Sequence, residues 1–161
     1  MKALVLYRSY YGNTQRVAET LADAVRSAGH QAEVRDLRRR FPDLGGVDLV
    51  FVGSPTRMAR VGRRAKSALN KIRKRAVGGT RVAVFDTYGP VPKTPEELEK
   101  GRKWLEPGAA GILYQLAVSL ELRVHPATLR CEVGEMKGPL KAGELEKATA
   151  FAAAVLASAG R

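Results

Sequence analysis

The chain predicts a three-layer doubly wound α/β domain, with five parallel strands in the order 2-1-3-4-5 and helices on both faces of the sheet. Three observations predict it. Five short apolar or alternating runs are separated by segments whose apolar residues recur at helical spacing, the pattern of parallel strands joined by crossover helices. The first, third and fourth runs are nearly continuous in apolar residues, as strands buried on both faces are, whereas the second and fifth alternate, as edge strands do. At 161 residues with 45% hydrophobic content, residues 1–161 have the size and apolar surface expected of one domain.

The elements follow in order. Ala3–Leu6 is the first strand, and it runs into Ser9-Tyr10-Tyr11-Gly12-Asn13-Thr14. From Thr14 a helix presents Val17, Leu21, Val25 and Ala28 on one face until Gly29 ends it. Gln31–Leu37 alternates, and Arg38-Arg39-Arg40-Phe41-Pro42 makes the next loop. Val47–Val52 is the third strand, closed by the turn residues Gly53-Ser54-Pro55-Thr56. Ala65, Ala68, Leu69, Ile72 and Ala76 form a second helical stripe, with basic residues on its other faces and Gly78-Gly79 as its stop. Arg81–Phe85 is the fourth strand and leads into Asp86-Thr87-Tyr88-Gly89-Pro90.

Pro92–Pro107 reads as an insertion with a short helix over Pro95–Leu105, acidic at its start and basic at its end. Ile112, Leu113, Leu116, Ala117 and Leu120 make the next buried stripe. Thr128–Val133 is the fifth strand, uninterrupted, and Glu144–Ala159 the last helix. A 2-1-3-4-5 order opens its ligand crevice at the carboxyl ends of strands one and three.

Net charge is +12, and its location is more informative than its size. Residues 35–81 carry 14 Lys/Arg against 3 Asp/Glu, while the rest of the chain carries 14 against 13. No run approaches the ~18 apolar residues of a membrane span. The single cysteine, Cys131, cannot form an internal disulfide, and the N-terminus enters a strand at once, leaving no room for a signal peptide; a cytoplasmic setting is expected. His30 and His125 have no Cys/His companions at ligand spacing, so no metal site is expected. Cys131 sits mid-strand and reads as a packed residue rather than a nucleophile. Walker, Gly-x-Gly-x-x-Gly and His-Glu-x-x-His patterns are absent.

A strand, a hydroxyl-rich turn and a helix start together make an anion site, because the first backbone N–H groups of a helix lack internal partners and its dipole favours negative charge. Ser9-Tyr10-Tyr11-Gly12-Asn13-Thr14 resembles the phosphate-binding loop of flavodoxin-like proteins, Ser/Thr-x-Thr-Gly-Asn-Thr, with Tyr11 in place of a threonine as in the quinone-reductase branch. Gly53-Ser54-Pro55-Thr56-Arg57-Met58 resembles the second loop of that family, with Arg57 and Met58 where a stacking aromatic often stands. Thr87-Tyr88-Gly89-Pro90 resembles the third. The resemblance covers essentially the whole chain and implies a short-chain member.

It further implies non-covalent FMN binding. Ser9, Tyr10, Tyr11, Gly12, Asn13 and Thr14 are expected at the phosphate. Ser54, Pro55, Thr56, Arg57 and Met58 with Thr87, Tyr88 and Gly89 are expected to bracket the ring, Tyr88 stacking on it. The function expected is electron transfer, with no side chain acting as acid or base, to or from a redox partner bearing an acidic docking surface. Two alternatives stand: a small FMN-dependent quinone-type reductase, and a basic module of this fold that binds nucleic acid through residues 35–81. The scarcity of aromatics among those cations argues against the last.

Overall fold

A computed structural model describes residues 1–160. Its elements are β1 (Lys2–Tyr7), α1 (Asn13–Ser27), β2 (Gln31–Asp36), β3 (Leu49–Pro55), α2 (Arg63–Arg75), β4 (Arg81–Tyr88), α3 (Pro95–Leu105), α4 (Gly108–Ser119), β5 (Arg123–Val124), β6 (Leu129–Glu132) and α5 (Glu144–Ala159). The sheet is parallel in the order β2-β1-β3-β4-β5, and β6 also pairs with β4. This is the doubly wound architecture expected from the sequence.

Strand periodicity divides the core in two. Alternate residues of a strand face opposite sides of the sheet. Leu4 and Leu6 of β1, Val50 and Val52 of β3 and Val82 and Val84 of β4 therefore pack toward Ala65, Leu69 and Ile72 of α2 and Leu113 of α4. Val5, Phe51 and Phe85 turn the other way, to Val17, Leu21 and Val25 of α1 and Phe151 and Val155 of α5.

Two boundaries differ from the sequence reading. The third and fourth strands extend further, to Pro55 and Tyr88, because Ser54 pairs with Asp86, Pro55 with Thr87, and the Thr56 N–H donates to the Thr87 carbonyl at 2.7 Å. Residues that read as turn chemistry are thus still in the ladder. Pro55 is tolerated because it is the last residue of its strand. The expected fifth strand, Thr128–Val133, is present as β6, with Leu129 opposite Phe85, and a further two-residue strand, β5, pairs with β4 ahead of it, with Val124 opposite Val82. Four residues bridge the gap where β4 uses two, and among them Pro126 has no N–H for the ladder.

Candidate functional site

The carboxyl ends of β1, β3 and β4 and the loop after β6 enclose a cavity of about 300 Å³. Its walls comprise Ser9, Tyr10, Tyr11, Asn13 and Thr14 from the first loop, Pro55, Thr56, Arg57 and Met58 from the second, and Thr87, Tyr88 and Gly89 from the third. Twelve of the fourteen residues expected from the sequence therefore lie on one cavity. Ser54 does not. It is fully buried beneath the second loop, where its hydroxyl accepts from the Gly62 N–H at 2.9 Å and donates to the Pro55 carbonyl. Its role is to shape the loop from below. Gly12 stands behind the wall, its N–H donating to Ser9 Oγ at 3.0 Å.

At the first loop, Gly12 precedes α1 with φ +91°, a left-handed conformation that favours glycine. No side chain caps the helix, and no acidic residue stands in its first turn. Its leading N–H groups consequently face the solvent side of the loop without a built-in anion, which fits an anionic ligand group there. Thr14 is buried, and its hydroxyl pairs with that of Thr87 at 2.8 Å, stitching the first loop to the third.

The second loop is a tight hairpin in which Arg57 and Arg60 exchange backbone hydrogen bonds of 3.1 and 2.8 Å. Its tip residues, Met58 and Ala59, both have positive φ, 49° and 64°. Such a turn favours Asn and Gly; for L side chains each left-handed residue costs roughly 1–2 kcal/mol. The Ala59 N–H is held by the Trp104 carbonyl of α3 at 3.1 Å, so the insertion braces this turn. Arg57 lies 3.9 Å from the centre of the Tyr10 ring, and Arg8 lies 4.0 Å from the same ring. Two guanidiniums cannot share one face at that distance, so they cover opposite faces of Tyr10.

At the third loop Tyr88 is half-buried, and burial raises its phenol above the ordinary range. One face of its ring receives Arg130 of β6 at 4.0 Å. Arg130 in turn meets Asp86, a wholly buried carboxylate, through Nε at 3.0 Å. Burial pushes the Asp86 carboxyl up, against the opposing pull of Arg130, the Ala110 N–H and the Thr56 hydroxyl. Val133 and Met136, from the loop after β6, complete the cavity wall.

The chain that builds this strand-end cavity, with an uncapped helix start and an aromatic, apolar wall, is matched by one family model. Residues 4–110 match the flavodoxin domain. The chain belongs to the flavodoxin domain family. Among solved structures, an archaeal flavodoxin superposes with a TM-score of 0.77 at 20% identity, covering 100% of both chains. Flavodoxin 1 of Bacillus cereus gives 0.71 at 20% identity over 98% of each. Two curated relatives are similar in sequence. One, named NAD(P)H dehydrogenase (quinone), of Gluconacetobacter diazotrophicus, is 33% identical over 81 residues, 37% of this chain and 41% of that protein. The other, the flavodoxin-like domain-containing protein BilS of Clostridioides difficile, is 30% identical over 89 residues, 55% of this chain and 48% of that protein. The chain spans less than half the length of either relative.

Against that family background, sequence reasoning missed Val133, Met136 and the Asp86–Arg130 pair. Val133 and Met136 belong to no recognisable loop motif. Asp86 was visible at the end of the fourth strand, but its partner depends on the β4–β6 register, which no local pattern specifies.

The basic third of the chain touches the site at Arg57 and runs away from it along α2, whose Lys71 and Arg75 stand with Lys2 near the amino ends of the strands. All seven cations of α2 lie along Arg63–Arg75, and the helix has no acidic residue. Among the described residues none of them has a carboxylate within 4.0 Å. Four exposed large hydrophobics, Tyr10, Tyr11, Met58 and Met136, also stand on the cavity wall. No helix of the structure is long and apolar enough to cross a membrane.

Proposed function

We propose that this protein binds FMN and transfers electrons through it. One observation carries the reading: the loops ending three neighbouring strands converge on one cavity whose far end is an uncapped helix N-terminus. The backbone N–H groups from Asn13 onward, with Ser9 and Asn13 beside them, hold the phosphate. Pro55–Met58 and Thr87–Gly89 bracket the ring, and the Tyr88 face not covered by Arg130 stacks on it. When bound, the flavin supplies the redox chemistry; the protein orients it, excludes water from one side and sets its electrostatic surroundings. No side chain is required as acid or base.

Reconstitution tests this directly. Protein loaded with FMN and freed of excess should retain absorbance at about 450 nm, a property of the flavin itself. Riboflavin, which lacks the phosphate, should bind at least ten-fold more weakly. Equal affinity for the two, or no uptake of either, overturns the assignment.

The partner is proposed to be a redox protein with an acidic docking surface. Exposed apolar side chains stand on the cavity wall, and cations without a carboxylate partner continue from Arg57 and Arg60 to Arg63 and Arg64 at the start of α2, a combination of apolar centre and charged rim that suits a transient protein interface. Electron-transfer rates with an acidic donor should fall steeply between low and physiological salt. Rates indifferent to salt would reduce the cations to a solvated face. A second reading, an FMN-dependent quinone-type reductase, is favoured by the names of relatives from Gluconacetobacter diazotrophicus and Cupriavidus metallidurans. Steady turnover of a quinone with NAD(P)H by the FMN-loaded protein alone would select it.

A further inference from the structure

We propose that Asp86 and Arg130 form a charge-compensated positioning pair, which holds the second and third loops at a fixed spacing and keeps Tyr88 oriented without placing a net charge behind the flavin. The inference rests on the FMN reading and concerns residues that no cofactor motif includes.

The geometry begins with register. Asp86 of β4 and Arg130 of β6 are direct cross-strand partners, so their side chains emerge on the same face of the sheet. Tyr88 lies two residues beyond Asp86 and shares that face. Arg130 can therefore reach both. Its Nε donates to both Asp86 oxygens at 3.0 Å, its Nη2 donates to the Leu105 carbonyl at 2.9 Å, and its guanidinium carbon lies 4.0 Å from the centre of the Tyr88 ring.

Asp86 gathers the remaining elements. Its carboxylate accepts the Thr56 hydroxyl at 2.9 Å and the Ala110 N–H at 3.1 Å, and Thr56 Oγ1 accepts the Ala109 N–H at 2.7 Å. One buried carboxylate thus ties the second loop, the start of α4 and, through Arg130, the end of α3 and the ring of Tyr88. The entrance to α4 is built around the pair. Gly108 has φ +77°, and a Cβ there would collide with the Arg130 guanidinium and lie 2.8 Å from an Asp86 oxygen.

Stability alone does not account for such a pair. Removing two charges from water is expensive, and well-packed apolar residues of similar volume often serve a fold equally well or better. The pair instead provides direction and neutrality. The fork of Arg130 specifies where the Tyr88 ring lies, and Asp86 cancels the positive charge that would otherwise stand 4.0 Å behind a cavity wall.

The consequence is a pattern of opposed effects that a purely structural role would not produce. Asp86→Asn leaves Arg130 uncompensated, favours the more negative reduced flavin and should raise the two-electron midpoint potential. A tenfold gain in preference for reduced over oxidised FMN corresponds to about 30 mV. Asp86→Asn combined with Arg130→Met removes both charges and should return the potential to within about threefold of wild type on the same scale. Arg130→Lys keeps the charge but loses the planar fork, so it should leave the potential unchanged and weaken FMN binding at least threefold.

The experiment measures FMN affinity by flavin fluorescence quenching and midpoint potential by redox titration, on wild type and the three variants. An unchanged potential in Asp86→Asn, a double variant that keeps the single variant's shift, or Arg130→Lys binding FMN like wild type overturns the inference. Should Asp86→Asn not fold, Arg130→Lys alone still decides it by its affinity. Wild type that takes up no FMN overturns the flavin reading itself, before any variant is compared.

Discussion

Two tyrosines on the cavity wall are each stacked by arginine, and they are held in opposite ways. Tyr10 is 45% exposed and has Arg8 on one face and Arg57 on the other. Tyr88 is half-buried and has a single arginine, itself tied to a buried carboxylate. Cations at solvent-exposed aromatic faces contribute about 0.5–1 kcal/mol, and long exposed side chains rearrange readily. The difference separates a ring that is available to a flat ligand from one that is already covered. Tyr10 can stack on a ligand only by displacing a guanidinium, whereas Tyr88 arrives with one face supported from behind.

The widest separation between the two should appear on truncation. Tyr88→Ala removes a pre-oriented aromatic contact and should weaken FMN binding by about 2 kcal/mol, roughly thirty-fold, while Tyr10→Ala should change it by less than about 0.5 kcal/mol. Fluorescence titration of both variants checks this; similar losses would erase the distinction.

A smaller effect concerns the turn that carries Arg57. Ala59→Gly relieves one left-handed L residue at a position where glycine is at ease. After the added freedom of the unfolded chain is subtracted, it should stabilise the protein by about 0.5–1 kcal/mol, read as a rise in thermal midpoint of a few degrees. A loss of stability would mean that the turn is not strained.

A third test uses pH. Burial raises the Tyr88 phenol in the fold above its unfolded value, so the folded state holds that proton more tightly. The associated stability is complete below about pH 10 and is lost as pH rises through the folded value. Tyr88→Phe should reduce that alkaline loss in chemical-denaturation measurements above pH 10, and the remaining slope belongs to the other groups held above their ordinary values, the Tyr7 phenol and the Cys131 thiol by burial and the Lys141 and Lys147 amines by Glu132 and Glu144.

The smallest expected effect is that of Arg57→Ala on the flavin potential. A charge at ~6 Å in a dielectric of ~20 would contribute about 2.8 kcal/mol. Arg57 is exposed and lies on Tyr10, so screening should reduce its share below about 0.5 kcal/mol, or ~10 mV for a two-electron couple. A fall well beyond that would put the Arg57 guanidinium against the flavin edge rather than on Tyr10.

The legible part of the fold was the part written in local chemistry. Gly12 before an amphipathic segment announced the first loop, and the apolar runs at Val47 and Arg81 announced central strands because burial on both faces leaves no polar positions. The strand-end residues were assigned to turns because Gly53, Ser54 and Pro55 are turn formers in isolation. Pairing with Asp86 and Thr87 kept them in the sheet. Ser54 carried a hydroxyl in the right loop, yet strand alternation pointed it into the protein. The extra strand at Arg123–Val124 is too short to show a period of its own, and only the register of β4 reveals it. Contacts between distant segments, Arg130 with Asp86 and Trp104 with Ala59, leave no local trace.

Cys131 gives the molecule a further property. Burial pushes its thiol up to about 12, so at neutral pH it stays protonated and lacks the thiolate that peroxides, disulfides and alkylating agents attack. The chain's only sulfhydryl is thereby silent while the fold is intact. Under the proposed function, that thiol stands a few residues from the edge of the sheet where electrons would pass and is kept from becoming a competing acceptor. Damage at Cys131 would serve as a record that the chain had unfolded.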